Sequence, residues 1–383
     1  MSKARKPLLM LLRLLVSAGL IYYVITLISF YDRIEIECTD GRVVSGTLKE
    51  TSETHFVVET DSGETARVPR AEVKPGSPRV RCEGLFTVVR KLRWRVFLPF
   101  FFLYPVGIIV SAARWRILLR AQEIGATLWQ ALRFSYIGIF FNNFMLGLTG
   151  GDIMKAYMVA RNTDRKASAI MTIFLDRLVG VVALATVAGL VLPFNLDRPA
   201  FRQPALVIYS FLAAFVVFGS LYYSRRIRRT RAFQWFKGLL PFKKVLKEAD
   251  ASLLLYRQKR GALGAAFAMS LFAHALAIVV CFGSGVSIGI SEAKFLDYFM
   301  FFPVIIMIIS LPISLGGWGL GEALFAHFFG LVGVPGEQAV LLSLVGRFMG
   351  LIWTLPGGIF LALGSTKAAL TEMRREADAT LFD

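Results

Sequence analysis

AIMTIFLDRLVGVVALATVAGLVLPF, residues 169–194, is an apolar block interrupted by one charged pair, Asp176-Arg177. About 20 consecutive apolar residues suffice to cross the hydrocarbon core of a bilayer, which is roughly 30 Å thick. A block of 26 residues therefore predicts a membrane-spanning helix. An arginine near the middle of such a helix costs at least about 2.5 kcal/mol. This cost indicates an ion-pair partner or a water-filled cavity.

Six further long apolar blocks predict that the chain crosses the membrane many times. They cover residues 8–30, 96–113, 205–223, 262–290, 298–315 and 338–364. The 383 residues are 56% hydrophobic and only 18% charged, with a mean hydropathy of +0.60, and this charged fraction is low for a soluble protein. Two shorter stretches rich in Gly and Phe, 129–148 and 318–334, predict re-entrant or broken helices. We expect an all-α polytopic membrane protein.

The distribution of basic residues predicts the orientation of the chain. The formal net charge is +18, from 44 Lys and Arg against 26 Asp and Glu, and residues 224–260 alone carry twelve Lys and Arg. Basic loops stay on the cytoplasmic side of a membrane, so we expect this loop and both termini to face the cytoplasm from a cell inner membrane. Residues 8–30 would form an uncleaved first span. Eight crossings follow if 318–334 crosses and 129–148 dips in and returns.

Residues 31–90 have a pattern typical of β-structure. Residues 34–38 (IEIEC) alternate apolar and polar, and 43–48 and 56–60 are rich in β-branched residues. Asp40-Gly41 and the Asp-Ser-Gly at 61–63 separate these runs as turn signals. We predict a small all-β insert of about five strands, SH3-like or Sm-like, on the extracytoplasmic side, where it would meet a protein partner.

Two cysteines lie near the ends of this insert. Cys38 and Cys82 would come close together in a barrel, and an oxidising compartment would join them as a disulfide. The alternative is two buried free thiols. The predicted division of the chain is a first span at 1–30, the insert at 31–90, a transmembrane domain at 91–364 and a cytoplasmic tail at 365–383.

The sequence contains few residues suited to metal or nucleotide chemistry. Its three Cys and three His form no CxxC and no HExxH pattern, and no Walker loop or GxGxxG follows a strand pattern. We expect no metal and no other cofactor. In a membrane protein the basic charge indicates anionic lipid rather than nucleic acid, so the expected partners are membrane lipids.

Two segments place charge among apolar residues in the same pattern. Residues 147–152 (GLTGGD) and 317–322 (GWGLGE) share the form G-x-x-x-G-acid. Each acid precedes an arginine by the same distance, 177 − 152 = 25 and 347 − 322 = 25, and each arginine begins R-x-x-G. This correspondence predicts an internal repeat. With the orientation above, the two halves would have inverted topology, as in many transporters.

The arginines of these segments have two interpretations. Arg177 and Arg347 would lie near the middle of the bilayer, where a guanidinium group could hold the phosphate of a lipid headgroup bidentately. The alternative is an internal ion pair with Asp152 or Glu322. Both interpretations hold together in a protein that alternates between states.

The glycines beside the acids also have two interpretations. They suit an unwound backbone whose amides point into a cavity, and the adjacent acid favours this interpretation. The alternative is close packing between helices. Asn142 and Asn143 end an aromatic run and would line the same cavity. His274 stands alone on an apolar helix and is interpreted as structural.

The chain resembles the transmembrane region of the lysylphosphatidylglycerol synthases, a flippase-like membrane family, over about residues 94–364. The matching pieces are Arg114-Trp115 with Leu118-Leu119, Asn142-Asn143 before Gly150-Gly151-Asp152, Asp176-Arg177 with Gly180, and residues 312–317 (PISLGG) with Gly319 and Glu322. The resemblance implies movement of a lipid between leaflets. The predicted substrate-binding residues are Arg177, Arg347, Asp152, Glu322, Asn142, Asn143, Asp176, Gly150, Gly151, Gly316, Gly317 and Gly319.

Three departures from the family pattern stand out. No aminoacyl-transferase domain follows the last span, so we expect no synthesis of lysyl lipid. The β insert is additional, and Trp318 occupies a position where the family often has a smaller residue.

Three functions are therefore compared. The first is a lipid flippase that works by alternating access without ATP hydrolysis of its own and is not an enzyme. The second is a membrane enzyme or accessory subunit acting on polyprenyl-phosphate or glycolipid intermediates, with Asp152 or Glu322 as its base. The third is a scaffold that recruits partners through the insert. A transport assay in liposomes separates the first from the others.

Overall fold

The structure is a computed structural model of the chain. It describes residues 31–60, 63–82, 87, 90, 92–144, 150–161, 163, 165–194, 199–223, 250, 253–256, 258–311, 314 and 317–362. The chain divides into two compact units. The first comprises Met1–Phe100, Cys281–Tyr298 and Trp318–Arg347, and the second comprises Phe101–Val280, Phe299–Gly317 and Phe348–Asp383.

Nine α-helices follow the insert within the described residues. They are α1 Trp94–Ala121, α2 Leu128–Phe144, α3 Gly150–Arg161, α4 Lys166–Val191, α5 Arg202–Tyr223, α6 Arg260–Ser287, α7 Phe295–Ile309, α8 Leu320–Gly330 and α9 Gly336–Ala362. Five of them are long and apolar enough to cross a membrane: α1, α4, α5, α6 and α9. The prediction of a helical polytopic membrane protein is confirmed.

Eight crossings and re-entrant helices stay predictions. The apolar block at 8–30 lies outside the described residues, and α7 has only 15 residues. Helix α8 has 11 residues, which extend about 16 Å at ~1.5 Å per residue. Because this is about half of a hydrocarbon core, α8 alone does not span it.

The long helices have the surfaces expected of membrane helices. Helix α4 buries a series of small residues, Ala169, Ala183, Ala185 and Ala188, which let neighbouring backbones approach closely. Helix α5 instead exposes large apolar side chains, including Leu206, Val216 and Phe218. Such a surface would promote aggregation in water and is typical of contact with lipid.

The insert is a five-stranded antiparallel sheet, as its alternating pattern predicts. Its strands are β1 Arg33–Glu37, β2 Val43–Thr51, β3 His55–Thr60, β4 Thr65–Pro69 and β5 Arg79–Cys82, in the order β4-β3-β2-β1-β5. A 3₁₀ turn at Arg70–Glu72 separates β4 from β5. The buried side chains form one small core: Ile34, Ile36, Cys38, Phe56, Val58 and Val68.

The predicted disulfide between Cys38 and Cys82 is wrong. Cys38 is a buried free thiol that follows the end of β1, while Cys82 in β5 pairs with Arg33 at the start of β1. Five residues of extended strand separate those positions, or about 16 Å at ~3.3 Å per residue. A disulfide requires Cα atoms less than about 7 Å apart. The strand register therefore keeps Cys38 and Cys82 too far apart for a disulfide.

Candidate functional site

An ion pair joins the short helix α3 to the long helix α4. Arg177 donates from Nε to Asp152 Oδ2. Asp152 lies in the first turn of α3, where a carboxylate is stabilised by the unpaired amides of the helix N-terminus. The Arg177 side chain keeps 39% of its surface exposed and that of Asp152 keeps 19%. The internal ion pair, one of the two interpretations of Arg177, is thus present, and it is only partly shielded.

Close packing of glycines positions the start of α3. A Cβ atom on Gly151 would overlap the carbonyl group of Gly138 on α2, so the two backbones are in direct contact. The Gly151 amide donates to Asn142 Oδ1 at 2.7 Å, which satisfies one free donor of the helix end. Because Gly150 and Gly151 lie inside α3, the prediction of unwound backbone at these glycines is wrong. The alternative, close helix packing, holds here.

A second arginine–carboxylate pair lies beside the first. Arg114 of α1 donates from Nε to Asp176 Oδ1 at 2.8 Å and from Nη1 to Ser270 Oγ of α6 at 2.8 Å. Both charged side chains are nearly buried. His274 Nε2 lies 2.9 Å from the Gly180 carbonyl oxygen, the satisfied contact expected of a structural histidine. Asp176 therefore ties α4 to α1.

Lys155 of α3 completes this group of charges. Its Nζ lies 5.1 Å from the centre of the Trp115 ring, within the range of a cation–π contact. Burial lowers the pKa of its ammonium group, and the charges of both carboxylates and both arginines also act on it. We call these five residues the α3–α4 charge cluster: Arg114, Asp152, Lys155, Asp176 and Arg177. Its formal charge is 3 − 2 = +1.

A similar ion pair joins α8 to α9. Arg347 donates to Glu322, from Nε to Oε1 and from Nη2 to Oε2 at 3.4 Å. Glu322 Oε2 also accepts the Gly319 amide at 2.7 Å, and the Arg347 guanidinium lies 4.6 Å from the centre of the Trp318 ring. Only 1% of the Glu322 side chain is exposed, against 17% for Arg347. We call Glu322 and Arg347 the α8–α9 pair.

The backbone before α8 differs from that before α3. Gly317 and Gly319 have φ values of 75° and 77°, in the left-handed region that favours glycine. The prediction of non-helical backbone therefore fits this segment. The Gly319 amide, however, is directed to Glu322. Trp318 has a role that its sequence position did not reveal, since its ring covers the Arg347 guanidinium.

The two ion pairs occupy equivalent places in their helices. Asp152 and Glu322 are each the third residue of a short helix, 152 − 150 = 322 − 320 = 2. Each arginine lies eleven residues after the start of a long helix, 177 − 166 = 347 − 336 = 11. At ~1.5 Å per residue this is about 16 Å, close to half of a hydrocarbon core. The shared local plan extends the correspondence seen in the sequence.

The predicted site residues therefore divide into several groups. The predicted residues with described contacts belong either to the charge cluster and the glycines that position α3, or to the α8–α9 pair. Gly316 and the side chain of Asn143 lie outside the described residues, and the cavity predicted beside the glycines and asparagines stays a prediction. Within the part of the chain that the structure describes, no three His, Cys, Asp or Glu side chains could hold a metal ion.

Sequence reasoning assigned no role to three residues of this site. Arg114 enters the sequence argument only through the family resemblance, and no sequence motif includes Lys155 or Ser270. The available signal for Arg114 was its charge within an apolar helix. Lys155 had a weaker signal, because its short helix also carries Asp152 and Arg161 and so resembles a loop between spans.

Comparison with known proteins gives two findings. A family model described as the lysylphosphatidylglycerol synthase TM region matches residues 78–358. A UPF0104 membrane protein of Pyrococcus horikoshii is 22% identical over 280 residues, which are 67% of this chain and 83% of that protein. The match begins near the end of the β insert, so nearly all of the sheet precedes it.

Proposed function

Because the chain belongs to the family of the lysylphosphatidylglycerol synthase TM region, we propose that it moves an anionic lipid headgroup between the two leaflets of a membrane. The observation that carries this proposal is a pair of matched contacts, each between an arginine of a long apolar helix and a carboxylate of a short helix. Charge at such positions is expensive. An anionic headgroup that must cross the same apolar region requires such a charge as its partner.

The α3–α4 charge cluster is the better anion site of the two. It has one positive charge in excess, and its Arg177 side chain is 39% exposed. The α8–α9 pair is formally neutral, and its carboxylate is almost fully enclosed. A phosphate can replace Asp152 as the partner of Arg177 because a guanidinium group binds either anion through the same planar fork.

The repeated local plan supports alternating access. Two short-helix and long-helix modules with equivalent ion pairs would face opposite sides of the membrane if the repeat is inverted. Exchange between an internal carboxylate and a lipid phosphate would then occur at matching depths. The chain would carry out this exchange without ATP hydrolysis of its own.

The proposed orientation follows from the basic loops. We place the protein in the cell inner membrane with both termini in the cytoplasm and the insert outside. The strand order β4-β3-β2-β1-β5, with a 3₁₀ turn before β5, supports the SH3-like interpretation of the insert. Its edge strands β4 and β5 would be available to a protein partner.

The test is a dithionite-quenching assay in proteoliposomes. Fluorescent phosphatidylglycerol in the inner leaflet should become accessible faster with the protein than without it, and Arg177→Lys should lower the rate by about tenfold, the value of one charged hydrogen bond. Lys259→Met is the matched control, because Lys259 pairs only weakly with the exposed Glu123. No acceleration by folded wild-type protein would contradict the proposal.

The alternative of a membrane enzyme has less support. A general base must be available to its substrate, whereas Asp152, Asp176 and Glu322 each accept a hydrogen bond from an arginine. We therefore propose a transporter rather than an enzyme acting on polyprenyl phosphates or glycolipids. Product analysis of the same proteoliposomes would reveal any chemical change in the lipid.

A further inference from the structure

Lys155 differs from the other cations of the α3–α4 charge cluster in having no carboxylate of its own. Arg114 pairs with Asp176 and Arg177 pairs with Asp152. Within the part of the chain that the structure describes, no ion pair or hydrogen bond reaches Lys155 Nζ, and its contact is with the face of the Trp115 ring. The formal positive charge in excess is therefore that of Lys155, which has no carboxylate partner among the described residues.

The stem of Lys155 is held in place by its surroundings. A Cβ atom on Gly138 would lie 2.9 Å from Lys155 Cγ and 3.0 Å from Lys155 Cε, so the absence of a side chain at Gly138 makes room for the lysine. The ammonium group at the other end lies against Trp115, itself buried. A side chain confined at both ends loses little conformational freedom when it binds a ligand.

The position of Lys155 relates it directly to the proposed site. It lies three residues after Asp152, on the same face of α3, because side chains three apart are neighbours on a helix. Asp152 is the partner that Arg177 would exchange for a phosphate. Any anion that displaces Asp152 therefore comes within reach of the charge on Lys155, which Arg177 and both carboxylates already influence.

We infer that Lys155 is a phosphate-binding residue of the headgroup site, which it completes together with Arg177. This inference rests on the proposed function. The ligand class is a phosphate ester with at least one negative charge. Lysine serves as a point charge for phosphate while arginine supplies the planar fork, so the two residues recognise complementary features of the same group.

The test measures binding of dioctanoyl phosphatidylglycerol to purified full-length protein in detergent by isothermal titration calorimetry. Lys155→Met should weaken binding by roughly ten- to a hundredfold, which corresponds to one charged hydrogen bond. Lys155→Arg should keep most of the affinity, and the control Lys259→Met should match the wild type. Dioctanoylglycerol, which lacks the phosphate, should bind equally weakly to all four proteins.

Two further measurements separate a binding role from a structural one. Without ligand, Lys155→Met and the wild type should unfold at similar temperatures. If the Lys155→Met protein is not monodisperse, Lys155→Gln is measured in its place. Sodium phosphate should compete with the short-chain lipid in the wild type and much less in the Lys155 variants. Competition without lipid binding would identify free phosphate as the ligand of the same residue.

Unchanged lipid and phosphate affinity in a folded Lys155→Met or Lys155→Gln protein would overturn the inference. The absence of any phosphate-dependent binding to the wild type would overturn it as well. Binding that depends on Lys155, combined with no lipid movement in the proteoliposome assay, would leave Lys155 as an anion site and contradict only the transport function.

Discussion

Arg177 and Arg347 look alike in the sequence and differ in the shielding of their partners. Asp152 keeps 19% of its side chain exposed, whereas Glu322 keeps 1% and accepts hydrogen bonds from both Arg347 and Gly319. A buried carboxylate without its partner is far more costly than an exposed one. The two arginines should therefore respond differently to the same substitution.

Arg347→Gln should destabilise the protein by about 3–5 kcal/mol, the cost of leaving a buried charge unpaired. Arg177→Gln should cost clearly less, because its ion pair is partly exposed. The measurement is thermal and denaturant unfolding in detergent micelles. Adding Glu322→Gln to the Arg347 variant should restore part of the loss, and equal losses for both arginine variants would contradict this asymmetry.

Gly151→Ala should destabilise the contact between α2 and α3. The added Cβ would overlap the Gly138 carbonyl group, and overpacking of this kind costs about 1–3 kcal/mol or more where backbone must move. Gly107→Ala in α1 is the control, since a Cβ there meets no atom within 4 Å. Unfolding temperatures of the two variants should differ clearly, and equal temperatures would show that α2 and α3 are not in backbone contact.

At the scale of single residues, the sequence identified ion-pair partners better than the role of each glycine. The spacing of 25 residues singled out both acids and both arginines, and an ion pair with Asp152 or Glu322 is one of the two interpretations of the arginines because charge in hydrocarbon requires compensation. The structure shows this ion pair for each arginine. Gly150 and Gly151 were predicted to be unwound, because a glycine permits either an open backbone or a close contact. The choice depends on what lies opposite, here Gly138, and a single sequence does not contain that information.

Helix α1 extends beyond the apolar block that predicted it. The block at 96–113 corresponds to α1, which continues to Ala121 through Arg114, Arg116 and Arg120. Backbone hydrogen bonds do not require apolar side chains, and long basic side chains can extend toward the interface. Hydropathy therefore located the helices but ended this one too early. The short helix α3 was missed for the same reason, since its mean hydropathy is low.

The β insert offers a prediction about its redox state. Because Cys38 is a buried free thiol in the sheet core, treatment with reductant should leave the unfolding transition of the insert unchanged. Cys38→Ala should cost about 1 kcal/mol, the value of a small lost apolar group, in both oxidising and reducing buffer. Mass spectrometry after alkylation of unreduced, denatured protein should find Cys38 modified. A peptide in which Cys38 is linked to Cys82 would contradict the strand register.

At the scale of the whole molecule, the orientation of the chain is open to a direct test. Glu53 lies exposed in the turn between β2 and β3, and Lys166 is exposed at the start of α4. In a variant without native cysteines, Glu53→Cys should react with an impermeant maleimide in intact spheroplasts. Lys166→Cys should react only after lysis, because the proposed topology places it in the cytoplasm. The reverse pattern of labelling would invert the topology.

In both ion pairs the carboxylate precedes its arginine by 25 residues along the chain. Ribosomes synthesise proteins from the amino terminus at about 5–20 residues per second, so each acid is made roughly 1–5 s before its arginine. The segment with the carboxylate has therefore already been synthesised when the arginine-containing span follows it. The order of synthesis thus makes each counter-ion available before its arginine enters the bilayer.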